Sequence, residues 1–174
     1  MAAYVALLRA INLGKTRKVP MPELRGLAEA LGYHDVRSHI QSGNLIFATA
    51  DPAPTIVDAL ETAIRDRFGF DVPVILRTAG EMAAVARSHP FAADEEDPAK
   101  LHVVFYAEAL STEAVDAVLA RDLSPDRVTV SGREAFIHYP EGAGRSRLNL
   151  QPLGPGTARN WRVVQALAQI ISGD

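Results

Sequence analysis

The sequence predicts an α+β protein, and three observations lead to this fold class. Short apolar runs alternate with amphipathic segments, so that residues 1–78 have the order strand, helix, strand, strand, helix, strand. The composition, with 48% hydrophobic and 22% charged residues, is that of an ordinary globular chain. The segment HIQSGNLIFAT is echoed later by VTVSGREAFIHY, each a strand, a Ser-Gly turn and a second strand. This order and its recurrence predict a duplicated ferredoxin-like (βαββαβ-type) plait, with antiparallel sheets and helices packed on one face.

Size and composition exclude several classes of protein. The 174 residues are enough to bury a core, and the chain contains no cysteine, which excludes disulfides, thiolate metal sites and thiol nucleophiles. No apolar run approaches the roughly 18 residues of a membrane span, and the first one has no basic region before it. We therefore expect a cytoplasmic protein that has no membrane partner.

Charge is distributed unevenly along the chain. The net charge is −3, but residues 1–45 carry +3, residues 46–139 carry −8 and residues 140–174 carry +2. Basic ends around an acidic middle are compatible with a local anion site and argue against a broad nucleic-acid footprint.

The first predicted half comprises residues 1–78. Its helices are predicted from apolar residues at helical spacing: Leu24, Leu27, Ala28 and Leu31 in the first, and Ile56, Val57, Leu60, Ile64 and Phe68 in the second, which also carries an outward Glu61/Arg65 pair. The predicted elements are, in order, a strand at residues 4–11, a helix after Pro20 that ends at Gly32, strands at 36–40 and 45–49, a helix at 55–68 and a strand at 72–76.

The second predicted half comprises residues 79–174. A capping box of Thr78 and Glu81 opens a short helix, and the acidic run at residues 94–97 is expected to be a solvated loop. The remaining elements are a strand at 101–107, a helix capped by Ser111 with Val115, Val118 and Leu119 inward, a hairpin at 127–130 and 135–139, a long Gly/Pro-rich loop at 140–159, and a final helix capped by Thr157 and buried through Trp161, Val164, Leu167 and Ile171.

A basic loop and a polar turn are predicted to meet at one end of the first half-sheet. The first and second strands of a ferredoxin-like sheet run parallel, so the segments that follow them lie at the same end. Cations and amide or hydroxyl donors at a helix N-terminus favour a phosphate, nucleotide or carboxylate ligand. The alternative is a solvated loop beside polar side chains that satisfy turn backbone. The candidate ligand-binding residues here are Arg9, Asn12, Lys15, Lys18, Gln41, Ser42 and Asn44, with Arg17 as a further cation.

A second set of donors and cations precedes the final helix. Arg159 and Asn160 stand next to Trp161, and Arg145 and Arg147 lie upstream. Arginine beside an indole can hold an anion or stack on a base, whereas the structural interpretation is a buried Trp covered by its Arg neighbour. We count Arg159 and Asn160 among the candidate ligand-binding residues.

No catalytic signature is present. The five histidines lack metal-ligand spacing, Gly142 and Gly154 lie outside the context of a nucleotide-binding loop, and Ser42 and Ser131 lack that of a nucleophile elbow. We therefore expect no metal and no cofactor, and whether the protein is an enzyme stays open.

Four stretches together resemble the uncharacterised bacterial domain-of-unknown-function family number 1697: ALLRAIN, KVPMPELRGLAEALGY, VRSHIQSGNLIF and TARNW. The resemblance implies an α+β fold with two ferredoxin-like halves and an unknown function. Ala10 stands where the family generally has Gly, which limits the approach of a ligand to that backbone. The family motifs fall on Arg9, Asn12, Pro20, Met21, Gln41, Ser42, Gly43, Asn44, Thr157, Arg159, Asn160 and Trp161.

Three functional hypotheses follow from the sequence. The first is a protein that binds an anionic small molecule or nucleic acid at the basic end of the first half-sheet. The second is an enzyme that acts on a phosphorylated or carboxylated small molecule through the same cations. The third is a structural or self-association module, in which a homo-oligomer forms and Arg9 and Arg159 join the two halves.

Overall fold

The computed structural model describes residues 1–173, which contain eight strands and five helices. By their contacts these residues divide into two compact units. The first unit comprises residues 1–84 and 167–173, and the second comprises residues 85–166. The chain is therefore an α+β protein with two four-stranded antiparallel sheets, one in each unit. No helix within residues 1–173 combines the length and the apolar character that crossing a membrane requires.

The first unit contains a sheet with strand order β2-β3-β1-β4. Both β1 and β2 pair antiparallel with β3, so they run in the same direction, as predicted, and the segments that follow them leave the same end of the sheet. The elements are β1 (Ala2–Leu8), α1 (Met21–Ala30), β2 (His34–Ser38), β3 (Asn44–Thr49), α2 (Ala53–Phe68), β4 (Val74–Thr78) and α3 (Ala79–Ala86), the last of which crosses into the second unit.

Residues at helical spacing bury one face of each long helix of the first unit. Leu24 and Ala28 of α1 are fully buried, and so are Ile56, Leu60 and Ile64 of α2. Leu31, predicted inward, follows the end of α1 and is exposed.

Two other details of the first unit were predicted. The Thr78–Glu81 capping box is confirmed, because each backbone N–H donates to the other residue's side chain, at 2.9 Å and 3.2 Å. The Glu61/Arg65 pair is wrong, since Arg65 instead lies 3.7 Å from Asp71 and Glu61 accepts the backbone N–H of Val74.

The second unit contains a sheet with strand order β6-β7-β5-β8. If the strands are numbered within each unit, both sheets therefore have the same order, with the second strand at one edge, followed by the third, the first and the fourth. The elements are β5 (Leu101–Phe105), α4 (Thr112–Leu119), β6 (Arg127–Ser131), β7 (Glu134–His138), β8 (Thr157–Asn160) and α5 (Trp161–Ser172), the last of which crosses into the first unit, with short 3-10 turns at Ala92–Asp94, Pro98–Lys100, Ala143–Arg145 and Gln151–Leu153.

Most predicted elements of the second unit are present, with corrections near its end. The Ser111 cap is confirmed, since its hydroxyl accepts the N–H of Ala114 at 3.1 Å, but Leu119 is exposed rather than inward. The predicted loop at 140–159 ends instead in strand β8, which pairs with β5. Thr157 is buried in that strand, and the cap of α5 is Asn160, whose Oδ1 accepts the N–H of Val163 at 3.0 Å.

Candidate functional site

The side chain of Asn12 joins the two segments that leave the same end of the first sheet. Its Nδ2 donates to the carbonyls of Val19, at 2.9 Å, and Gln41, at 2.7 Å, and its Oδ1 accepts the N–H of Val19 at 2.8 Å. Its backbone is left-handed, with φ of 54°, a conformation that asparagine tolerates better than most residues. The sequence prediction that the basic loop and the polar turn meet is therefore confirmed, and Asn12 is the residue that ties them together.

Ser42, Gly43 and Asn44 form the turn between β2 and β3. The buried Asn44 donates from Nδ2 to the carbonyl of His39 at 2.9 Å and to the hydroxyl of Ser42 at 3.0 Å. Gly43 has φ of 86°, and its carbonyl accepts the N–H of Leu8 at 2.9 Å. The side chain of Asn44 therefore supports the backbone of the turn, as the alternative interpretation expected.

The side chain of Arg17 also stabilises the loop. Its Nε donates to the carbonyl of Ala10 at 2.8 Å, its Nη2 donates to the carbonyl of Asp71 at 2.7 Å, and the guanidinium lies 4.9 Å from the ring centre of Phe70. Both hydrogen-bond acceptors are neutral carbonyls, so the positive charge of Arg17 stays in place at this end of the sheet.

Three predicted ligand-binding side chains are exposed at this end: Lys15, Lys18 and Gln41. Within residues 1–173 neither lysine pairs with a carboxylate, and the side-chain amide of Gln41 makes no hydrogen bond. Asn12, Lys18, Pro20 and Gln41 line an open depression of about 450 Å³. We call this depression the basic depression.

Arg9 lies at the same end, directly after β1. It is half-buried, and its backbone N–H donates to the carbonyl of Pro73 at 3.1 Å. The structure thus brings Arg9, Asn12, Lys15, Lys18, Gln41, Ser42 and Asn44 to one end of one sheet, while their role as ligand-binding residues stays a prediction.

Arg159 and Asn160 belong to the second unit. Arg159 is buried, and its Nη1 donates to the hydroxyl of Thr157 at 2.6 Å and to the carbonyl of Ala158 at 2.9 Å. Burial lowers the pKa of this guanidinium to about 10. Trp161 is buried, as the structural interpretation of this motif expected.

Sequence reasoning missed a chain of charged groups around His138. The ring Nε2 donates to Glu95 at 2.9 Å, and Arg127 Nη2 lies 2.9 Å from the ring Nδ1. A guanidinium can only donate, so Nδ1 accepts, and this hydrogen-bond pattern assigns a neutral imidazole with its proton on Nε2. The hydrogen bond from His138 lowers the pKa of Glu95. Arg127 also donates to Asp94 at 3.2 Å, so the predicted solvated loop at 94–97 is tied to the β6–β7 hairpin.

No local sequence signal could have revealed this chain of groups, because Glu95 and His138 are 43 positions apart. It does not form a metal site: within the described residues no group of three or more His, Asp or Glu side chains is arranged to hold a metal ion.

Comparison with known proteins places the chain in a family. The family model described as a protein of unknown function, DUF1697, matches residues 1–136. The chain belongs to this family. The matched part of the DUF1697 chain includes the whole basic depression and strand β6, and it ends within strand β7.

A solved structure extends the comparison to the whole chain. The DUF1697 fold described above is similar to that of a conserved bacterial protein from Streptococcus pneumoniae, with 27% sequence identity, 98% of each chain covered and a TM-score of 0.80. Among curated proteins, none matches the chain.

Proposed function

We propose that this DUF1697 protein binds a small anion, such as a phosphate or carboxylate compound, in the basic depression. One observation carries the proposal. The ammonium group of Lys18 and the side-chain amide of Gln41 border the same depression, and within residues 1–173 neither group has a protein partner. The hydrogen bonds of Asn12 hold the backbone around this depression in place. Donors on a fixed frame bind an anion at low entropic cost.

The charges around the basic depression support an anionic ligand. Lys15 and Lys18 lie in one loop with Arg17, whose partners are backbone carbonyls rather than carboxylates. Charge-assisted hydrogen bonds from such groups to an anion are stronger than those between neutral groups. The predicted participation of Arg159 and Asn160 stays a prediction and is not needed by this proposal.

The lining favours a small anion over a nucleic acid. None of the four residues that border the basic depression is aromatic, whereas proteins that bind single strands usually stack bases on aromatic side chains. Nucleic-acid binding, catalysis on a bound anion and self-association stay hypotheses, and the experiment that follows separates the first of them from small-anion binding.

The test is isothermal titration of the protein with inorganic phosphate, glycerol 3-phosphate and a short single-stranded RNA, at low and moderate salt. We expect phosphate compounds to bind, and Lys18→Ala to weaken binding by about 10- to 100-fold, since a hydrogen bond to a charged group contributes about 1.5–3 kcal/mol. Arg162→Ala is the matched control, because it also removes one exposed positive charge but lies outside the basic depression.

Two results would contradict the proposal. One is the absence of binding by either phosphate compound, and the other is an equal loss of affinity in Lys18→Ala and in the control. Binding of the RNA alone, with a steep salt dependence, would favour the nucleic-acid hypothesis instead.

We further infer that the chain is a duplicated ferredoxin-like plait divided between residues 78 and 79. The corresponding strand orders of the two sheets support this inference, and so do the two hairpins that follow α1 and α4. The two halves differ after their third strands, where α2 in one corresponds to 3-10 turns in the other.

A further inference from the structure

The second unit contains a cleft of about 440 Å³ that lies outside the basic depression. Its walls come from two segments: residues 121–126, which connect α4 to β6, and residues 141–149, which follow β7. The volume is at the lower end of the range for small-molecule sites. We call this cavity the Arg/Asp cleft.

Three guanidinium groups line the Arg/Asp cleft, those of Arg121, Arg145 and Arg147, and the lining also includes the carboxylates of Asp122, Asp126 and Glu141. All three residues are exposed, and within residues 1–173 none of them lies within salt-bridge distance of a carboxylate. Arginine presents several donors in a planar fork that matches carboxylate and phosphate oxygens. Arg145 and Arg147, which lie together in the segment after β7, are therefore suited to an anionic group.

Asp126 gives the same cleft a buried carboxylate. The residue is only 9% exposed, and its Oδ2 accepts the hydroxyl of Ser146 at 2.6 Å. The hydroxyl oxygen in turn accepts the N–H of Leu148 at 3.0 Å, which fixes Ser146 in place. Within the described residues the second oxygen, Oδ1, makes no hydrogen bond and no cation pairs with the carboxylate.

The Asp126 carboxylate is largely buried and pairs with no cation among the described residues, while its Oδ1 keeps some solvent access. Loss of hydration costs a buried charge several kcal/mol unless an opposite charge or further hydrogen bonds compensate. A positively charged group in the cleft would supply the missing compensation.

We propose that the Arg/Asp cleft binds a small zwitterion, whose carboxylate or phosphate lies against Arg145 and Arg147 and whose ammonium group lies against Asp126. The lining carries both signs of charge, with Arg145 and Arg147 in the segment after β7 and the buried Asp126 in the segment before β6, and it favours a ligand that carries both charges. A ligand with one charge alone would pair with one set of these groups and leave the other set without a partner.

The test compares zwitterions with their single-charge halves by isothermal titration of the full chain. The probes are O-phosphoethanolamine and β-alanine as zwitterions, inorganic phosphate and propionate as anions, and ethanolamine as the cation. The titrations use Lys18→Ala as the background, in which binding in the basic depression is weakened, so that failure of one proposal is distinguishable from failure of the other. We expect at least one zwitterion to bind at least 10-fold more tightly than either of its halves.

Two further variants test which residues of the Arg/Asp cleft contact each charge of the zwitterion. Asp126→Asn preserves the shape of the side chain and is expected to abolish the preference for the zwitterion while leaving phosphate affinity unchanged. The exposed pair Arg145→Ala and Arg147→Ala is expected to weaken binding of both phosphate and zwitterion by at least 10-fold, and Arg162→Ala to weaken neither.

The proposal is overturned if no zwitterion is preferred over its halves, or if Asp126→Asn keeps the preference. If Asp126→Asn does not fold, the comparison of zwitterion and halves in the Lys18→Ala background, together with the arginine variants, still decides between the outcomes.

Discussion

Asn12 is one residue whose side chain supports a whole end of the first unit. Its amide contacts both the N–H and the carbonyl of the buried Val19, and it reaches the carbonyl of Gln41 in the neighbouring turn. We expect Asn12→Ala to lower the free energy of unfolding by about 2–3 kcal/mol, because backbone groups in a partly buried loop lose their partners and the left-handed backbone becomes less favourable. Chemical denaturation followed by circular dichroism measures the change.

The exposed Lys15, in the same loop, supplies the control for Asn12. Lys15→Ala should change stability by less than about 0.5 kcal/mol, as is usual for a surface position without special contacts. An Asn12→Ala protein as stable as the Lys15→Ala protein would show that the loop is held by other contacts.

At the residue scale the sequence correctly predicted where these polar residues lie. It placed Asn12, Ser42 and Asn44 at one end of the sheet, where Asn12 and Asn44 form hydrogen bonds with nearby turn groups, and the ligand-binding role of these residues stays a prediction. Sequence alone could not separate the two roles, because a polar side chain suited to a ligand is equally suited to backbone groups of a turn. The charged groups around His138 were missed since their pairing depends on tertiary structure.

The two Ser-Gly turns are elements of the same kind with different packing. A Cβ on Gly43 would lie 2.7 Å from Ile11 Cδ1 and 2.8 Å from Leu8 Cβ, at a φ of 86°. Gly132 also has a positive φ, 59°, but no atom would lie within 4 Å of its added Cβ. We expect Gly43→Ala to destabilise the protein by about 2–4 kcal/mol, from overpacking together with backbone strain, and Gly132→Ala by only about 1 kcal/mol. Denaturant unfolding of the two variants measures both values.

Equal losses in Gly43→Ala and Gly132→Ala would contradict this prediction. Such a result would mean that backbone strain alone decides the cost, and that the first turn can move away from Leu8 and Ile11 without penalty.

At the element scale, prediction succeeded where side-chain periodicity was strong. The buried faces of α1 and α2, the β6–β7 hairpin and the Thr78 capping box follow from apolar spacing and from short-range hydrogen bonds. Strand β8 was missed because its four residues, Thr-Ala-Arg-Asn, lack an apolar alternation and follow a Gly/Pro-rich segment. Its pairing with β5 is a long-range property that no local pattern contains.

For the molecule as a whole, the repeated strand–turn–strand pattern was the most informative feature of the sequence. It predicted two sheets, and each described unit contains one four-stranded antiparallel sheet with the corresponding strand order. The Arg/Asp cleft was not predicted, because its two walls come from segments that lie about 20 positions apart and only the folded chain brings them together.

Buried histidines predict how the stability of the whole molecule depends on pH. His89 is buried beside Phe136 and Trp161, its Nε2 lies 3.2 Å from the carbonyl of His102, and its Nδ1 accepts the N–H of Phe91 at 3.3 Å. Burial lowers the pKa of His89 below its usual 6.5. The unfolded chain therefore binds a proton near pH 6.5 while the folded chain does not, so stability is complete above this pH and falls as the pH drops below it.

We expect the melting temperature to be constant between about pH 7 and 8 and to fall progressively between about pH 6.5 and 5, because in that range the unfolded state binds more protons. His89→Gln should have a lower melting temperature than the unsubstituted protein at pH 8. Its melting temperature should fall less on acidification, because the variant lacks a group that binds a proton only in the unfolded state. His34→Gln, at an exposed histidine, is the matched control and should retain the full pH dependence. Melting curves by circular dichroism across this pH range measure the effect. An unchanged pH dependence in His89→Gln would contradict the prediction and assign the acid sensitivity to other groups. The first of these to test is His102, because burial also lowers its pKa.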